Sequence, residues 1–437
     1  MTLSYIPSDT NDEGILKATA SGVLPSGQPV IVNADGTVSV VSQSGPSAGT
    51  PSVFANALND SEWRGAVTYD SNSDKVVIAY TNTSNNSYGE VVVGTISGSS
   101  ISFGTAVVVA SSYSDFFSAT FDTSNNKVVL AYRDVGNSFR ATSVVGTVSG
   151  TSISFGTPVV FNTAQSNTFS ATFDSTNNKV VVAYGDINQH GQAAVGTVSG
   201  TNISFGSSTA FQSSQTNEPV ATYDSASEKV VIGYVAAADS DYGAAIVGTV
   251  SGTSISFGSR VFFSSAGTSG TGVTYDSNAE KVVISYKNSG NSGYGTAIVG
   301  TVSGTSISFG TAVVFESAST NYTSATFDTS SNSVIISYQD SGNSNYGTAI
   351  VGTVSGTSIS FGTAVVFESA NTRSTQVAFD SGSNKAVIAY RDYGNSRNGT
   401  AVTFAASSTS LTAENYIGMS TGGTYASGST ATVKIIG

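Results

Sequence analysis

The chain has 437 residues and a net charge of −12, from 16 Lys and Arg against 28 Asp and Glu, and only 10% of its residues are charged. So few cations are unsuited to gripping phosphate backbones, where Lys and Arg must displace counterions, and no nucleic-acid partner is expected. With no Cys and a single His, His190, the sequence excludes disulfides, thiol nucleophiles, Cys-ligated zinc and multi-histidine metal sites, and no cofactor is expected. A hydrophobic content of 39% argues against disorder. No run nears the ~18 apolar residues of a membrane span, so no membrane insertion is expected. The first residues lack the basic-then-apolar order of a signal peptide.

In chain order, residues 1–36 predict a strand at Pro29–Val32 and a turn at Asp35-Gly36. From there a repeat dominates. An aromatic-Asp pair recurs at Tyr69-Asp70, Phe121-Asp122, Phe173-Asp174, Tyr223-Asp224, Tyr275-Asp276, Phe327-Asp328 and Phe379-Asp380, with spacings of 52 residues and once 50. Each copy reads as four short strands, in the sixth copy near 324–328, 333–339, 348–354 and 357–361, the last continuing towards Phe367. Seven copies of this kind predict an all-β fold, a seven-bladed β-propeller of four-stranded blades. The last copy supplies three strands, 376–405, and lacks the Ser-Ile-Ser-Phe-Gly phrase. The missing piece lies at the other end of the chain, where Gly49-Thr50-Pro51-Ser52-Val53-Phe54 matches Gly310-Thr311-Ala312-Val313-Val314-Phe315. The alternating residues 37–41 are therefore predicted to complete the last blade beside 399–405, leaving no open edge. Small residues at Ala119, Ala171, Ala221 and Ala325 suit a crowded axis. Residues 407–437 contain the alternating Ala431 to Ile436 stretch. The expected organisation is an N-terminal β segment (1–36), the propeller (37–406) and a C-terminal β segment (407–437), with the two flanks forming one small β module.

The copies also predict two unlike faces. Turns between the first and second strands, and between the third and fourth, hardly change from copy to copy. The other connections vary. From the second-strand Tyr to the third-strand Gly is nine residues at Tyr338–Gly347 but seven at Tyr184–Gly191, and from the fourth strand to the Asp is 13 at Phe315–Asp328 but 16 at Phe54–Asp70. Varied connections on a rigid scaffold nominate the binding face. The candidates there are Glu62, Trp63, Arg64, Tyr88, Tyr113, Phe139, His190, Tyr242, Tyr294, Tyr322, Tyr346, Arg373 and Tyr393. Aromatic faces beside carboxylates, amides and guanidinium groups suit sugar rings, and they also suit protein interfaces.

Trp63 reads either as a stacking platform or as a plug over the channel mouth. His190, without a second His or any Cys, reads as a plain loop residue. The aromatic-Asp pair, present in every copy, reads as turn capping. Asp70-x-Asn72-x-Asp74 starts like a calcium loop but lacks its Gly and its Glu, and reads as a hairpin turn. The Asp-x-Gly-Asn-Ser phrase at 134–138, 340–344 and 392–396 reads as turn chemistry. Glu316 and Glu368 could serve as a carboxylate pair for a glycosidase or lyase, but nothing in the sequence brings them together. The chain is expected not to be an enzyme.

The phrase Val-Gly-Thr-Val-Ser-Gly-Thr-Ser-Ile-Ser-Phe-Gly-Thr-Ala-Val-Val-Phe, with Phe-Asp-x-x-x-Asn-Lys-Val-Val-x-Ala-Tyr, resembles propeller repeats of tail-fibre and other virion proteins of marine tailed phages, over roughly 50–405. Residues 27–41, 411–419 and 431–436 resemble the ends of the same group. The resemblance implies a structural or host-recognition role and supplies no catalytic residues. The expectation is a virion protein of tail-fibre or appendage type, assembled in the host cytoplasm. Its terminal β segments would hold it to other virion proteins, and its variable face would meet a host-surface glycan, with affinity multiplied by copy number on the particle. An adaptor binding another virion protein is the alternative, and a polysaccharide hydrolase or lyase the less favoured one.

Overall fold

A run of β-branched residues without polar alternation is suited to burial on both faces, and the Lys-Val-Val-x-x-Tyr phrase is placed accordingly. In Lys127–Asp134 the five residues from Val128 to Tyr132 are all buried, and the strand lies between Val107–Asp122 on one side and Arg140–Ser149 on the other. Ser152–Phe155 adds the outer strand, where alternation returns because one face meets solvent. The pattern repeats along the chain, so the architecture is one of repeated antiparallel strands, all β. The computed structural model describes residues 4–6, 15–20, 29–32, 37–40, 45–56, 58, 65–406, 418–421, 424, 426 and 430–434. Among these, helix is limited to three short 3-10 turns, at Val135–Asn137, Ala237–Asp239 and Ser289–Asn291.

The chain divides into two units, residues 46–406 and residues 1–45 with 407–437. The smaller unit holds a six-stranded sheet in the order Ser4–Ile6, Ile15–Thr19, Thr430–Lys434, Gly418–Thr421, Pro29–Val32, Val38–Val40.

Two expectations are corrected here. Val38–Val40 does not complete the last copy; it pairs with Pro29–Val32, with Val30 opposite Val40 and Val32 opposite Val38. The strands beside Asn398–Ala405 are Ser47–Ala48 and Ser52–Ala55, with Phe404 opposite Ala48, Ala405 opposite Ser47 and Thr400 opposite Val53. The outer strand of every other copy runs straight into a Gly-Thr or Gly-Ser step, so distance from Gly49 fixes the place of this one, and 37–41 lies too far upstream. Alternation fixes which side chains share a face, not which strand is the partner. The larger unit accordingly begins at residue 46 rather than 37. Secondly, the connection from outer strand to next inner strand is not a loop. Val107–Asp122 is one extended segment of 16 residues. Its first half pairs with Tyr88–Ser97 and its second half with Lys127–Asp134, so one strand serves two sheets.

Apolar clusters form between consecutive copies. Val283, Ala297 and Val299 of one copy pack with Val334, Ile336 and Ile350 of the next. The same packing joins the last copy to the first, where Val387, Ala389 and Ala401 share a cluster with Val76, Ile78 and Val92.

Candidate functional site

Every complete inner strand carries a bulge at the same place. Its ladder to the second strand skips between Asp115 and Ser118, Asn167 and Phe169, Asn217 and Val220, Ser269 and Gly272, Asn321 and Ser324, and Arg373 and Gln376. The residue left in the left-handed conformation is Phe116, Thr168, Glu218, Gly270, Tyr322 or Ser374, with φ between +43° and +60°. Only glycine adopts this without strain; elsewhere the bulge imposes it, and bulges re-aim side chains out of a sheet. These six residues line one cavity of about 300 Å3, walled further along the strands by Ala119, Ala171 and Ala325. Their counterpart in the first copy is Arg64, five residues before Tyr69 as Phe116 is five before Phe121.

A second row stands at the turns between second and third strands. Ser87, Phe139, Gln189, Asp241, Gly293, Asn345 and Arg397 are all left-handed, with φ between +58° and +75°. Each offers its carbonyl oxygen to an N–H, in six copies one midway along the neighbouring crossing segment, in turn that of Ser114, Ser166, Thr216, Thr268, Thr320 and Thr372, and in the last copy that of Leu58, at 2.8 to 3.2 Å. Among the described residues the backbone thus repeats, in six copies of the mouth row and seven of the turn row, while no residue type occurs twice in either row. Hydroxyls stitch the mouth: Ser118 Oγ accepts from Ala171 N–H at 2.8 Å, Ser170 Oγ from Ala221 N–H at 2.9 Å, and Thr375 Oγ1 donates to the Tyr322 carbonyl at 2.5 Å. Gly270 N–H donates to Glu218 Oε2 at 2.6 Å.

The opposite end of the inner strands is uniform. Asp122 Oδ1 accepts from the N–H groups of Ser124 and Asn125 at 2.9 and 3.0 Å, and Asp70, Asp174, Asp224, Asp276, Asp328 and Asp380 each accept from the two matching N–H groups. The paired aromatics ring a second cavity. The Asp-x-Gly-Asn-Ser carboxylates also cap turns, Asp340 Oδ1 accepting from Gly342 and Asn343 N–H at 2.9 and 3.1 Å.

The candidates fall into groups. Glu62, Trp63 and Arg64 lie outside the described residues. Tyr322, 40% exposed, stands in the mouth row, and Phe139, 38% exposed, in the turn row. Tyr88, His190, Tyr242, Tyr294 and Tyr346 open their third strands. Tyr88 pairs across to Tyr113, Tyr242 meets the edge of Phe262 at 5.8 Å, and His190 Nδ1 lies 3.4 Å from Asp186 Oδ2. Arg373 lies over the Tyr393 ring, 4.6 Å from its centroid. Glu316 and Glu368 are tied to different partners, Glu316 Oε2 accepting from Tyr338 Oη at 3.1 Å and Glu368 Oε2 from Tyr390 Oη at 2.9 Å. Burial pushes both carboxyls above their usual range.

Sequence reasoning missed Thr168, Glu218, Ser374, Gln189, Asp241 and Asn345, which a column-by-column comparison of the copies would have exposed as varying between constant neighbours. It also missed the partner of Arg133. Asp115, 1% exposed, takes a forked ion pair from that guanidinium, with both contacts at 2.6 Å, and the same group lies over Phe116 at 4.3 Å and Phe139 at 5.5 Å. Among the described residues no group of three or more His, Asp or Glu side chains could hold a metal ion, and no helix is long and apolar enough to cross a membrane.

No family model matches the chain, and no curated protein matches it. Solved structures do. A lectin from Burkholderia pseudomallei has a TM-score of 0.57 at 8% identity, covering 86% of this chain and 99% of that one. A protein of unknown function from Dyadobacter fermentans has a TM-score of 0.50 at 10% identity, covering 83% and 99%. A mutant of AofleA from Arthrobotrys oligospora has a TM-score of 0.46 at 10% identity, covering 76% and 93%. At such identities the likeness is one of fold.

Proposed function

We propose that residues 46–406 form a closed seven-bladed β-propeller that binds carbohydrate at the cavity mouth and the surrounding turn row, without chemistry on the ligand. The observation that carries this is the pair of rows in which constant backbone presents a different side chain at every described position. A fold that only needed to close would repeat its residues there, as it repeats the turn Asp. Exposed Tyr322 and Phe139 beside Glu218, Gln189 and Asn345 offer ring faces for sugar C–H surfaces and polar groups for hydroxyls. The fold likeness to a lectin supports the same ligand class. Closure is supported by the pairing of Asn398–Ala405 with 47–55 and by the shared cluster of last and first copies. The finer assignment, a tailed-phage virion protein that recognises the host surface and binds other virion proteins through its terminal segments, is supported by the repeat phrases and the terminal phrases of the sequence.

A glycan array probed with the whole chain tests the binding. Tyr322→Ala with Phe139→Ala is expected to weaken the best ligand by about ten-fold or more, the loss typical of an interface anchor, whereas Lys281→Ala at the uniform end changes nothing. Equal binding by both variants removes the face assignment, and shortening of the bound glycan on incubation removes the claim of binding without chemistry. Mass spectrometry of purified phage particles tests the finer part. Their lacking this chain overturns it, and a particle map with the mouth face buried on another virion protein replaces glycan by protein as the ligand.

A further inference from the structure

We propose that the sugar unit seated in the mouth cavity carries a free amine, held at the Glu218 carboxylate; this rests on the carbohydrate reading above. Among the described residues that line the cavity, Glu218 is the only carboxylate, and no Lys, Arg or His lines it. Gly270 comes next in the mouth row and adds no side chain, and Tyr322, 40% exposed, follows it. The row thus has a gap at Gly270, with a carboxylate before it and an aromatic ring after it.

Other acids of the chain supply an internal control. Glu90 fills both of its oxygens, Oε2 accepting from Tyr80 Oη at 3.0 Å and Asn82 Nδ2 at 2.8 Å, and Oε1 from Asn85 Nδ2 at 2.7 Å. Asp115 gives both oxygens to Arg133, and Asp239 pairs with Arg260 at 2.5 Å. Glu218 accepts only from Gly270 N–H, through Oε2, and its Oε1 has no protein partner. Lys287, the cation on the second strand of the next copy, is bonded instead to Asn321 Oδ1 at 3.0 Å. No group of three acids or His that could hold a metal ion includes Glu218. A sugar hydroxyl would bond Oε1 but leave the negative charge uncompensated in a partly enclosed space. An ammonium group donates the hydrogen bond and neutralises the charge together, and such charge-assisted bonds are roughly twice as strong as neutral ones. The Tyr322 ring beyond Gly270 favours the same sign of charge, since aromatic faces attract cations. The net charge of −12 draws cationic ligands towards the chain as a whole.

The test compares glucosamine oligomers with their N-acetylated counterparts on the full chain and two variants. Glu218→Gln keeps an oxygen for the Gly270 N–H, and Glu218→Ser introduces the residue type that the last copy holds at the matching position, Ser374. The unaltered chain is expected to prefer the free-amine series by about ten-fold or more, with a preference that shrinks as salt screens it. Both variants should lose the preference. Equal binding of the two series by the unaltered chain, or a preference for the acetylated one, overturns the proposal while leaving carbohydrate binding standing. A free-amine preference that survives in the variants also overturns it, and traces the effect to the overall charge rather than to Glu218. Binding to no glycan at all sinks the carbohydrate reading instead. Thermal shift with ethylammonium chloride then decides the cation site: a rise confined to the unaltered chain retains it, and no rise, or an equal rise in all three chains, overturns it.

Discussion

The Glu316 and Glu368 carboxyls bind their protons more tightly in the folded chain than at their ordinary 4.5, because burial disfavours the charge, and Asp340 and Asp392 respectively add repulsion. Such a group favours the folded state at low pH and loses that advantage as pH rises from 4.5 through its folded value. Replacing both by Gln keeps an oxygen for the Tyr338 and Tyr390 hydroxyls and removes the charge. A plot of Tm against pH is therefore expected to fall less steeply above pH 4.5 for E316Q/E368Q than for the parent chain, and identical slopes would show that these groups do not titrate across folding. The Asp115–Arg133 pair stands on geometry, a forked contact between opposite charges. Its partners are only 1% and 14% exposed, so Asp115→Asn is expected to lower stability by about 3 kcal/mol in urea unfolding, the cost of stranding a buried charge. Residue types announced some of this surface and concealed the rest. Tyr322 and Phe139 stood out because exposed aromatics are conspicuous. Thr168 and Glu218 did not, because neither is a residue that signals positive φ, and their conformation comes from the bulge around them.

A strand shows how a monotonous phrase is held constant. A methyl group on Gly310 would overlap the carbonyl oxygen of Thr357 in the next copy, and Gly104, Gly156, Gly206 and Gly258 meet Thr151, Thr201, Thr253 and Thr305 in the same way. The Phe-Gly step and the Ser-Gly-Thr turn are thus two halves of one contact. Gly362 is the exception, with only the Val351 carbonyl oxygen near, at 3.9 Å, because its neighbour is the copy that lacks the Ser-Gly-Thr turn. Gly310→Ala is expected to cost about 1–3 kcal/mol by overpacking against backbone, and Gly362→Ala to stay within about 0.5 kcal/mol; equal effects in denaturant melts would mean that the contact does not constrain the phrase. The second strands were legible as sequence, since Val-Val-Ile runs ending in Tyr have few other uses. The crossing segments were not. Residues such as 107–122 mix Ser, Asp and aromatics without a clean period, since they change sheets midway and with them the face each side chain must satisfy.

At the scale of the molecule, the register of copies was plain from the constant spacing, whereas the strand that joins the ends was misplaced because 37–41 alternates better than 45–48 does. That join makes a sharp prediction. A chain cut to 46–406 is expected to run at the same association state as the full chain and to unfold in one transition, whereas a chain cut to 56–406 leaves Asn398–Ala405 an unpaired edge and should self-associate further in size-exclusion chromatography. The same elution behaviour by both would mean that the 47–55 strands do not guard that edge. The same join has a temporal side. Its two partners leave the ribosome about 345 residues apart, Gly399 being paired with Ala55 and Thr400 with Val53, which at ordinary elongation rates is a delay of roughly 20–70 s. The early strands must wait through that interval without the neighbour they need, so a permuted gene that translates 46–55 directly after 405 should yield more soluble product from rapid expression than the natural order.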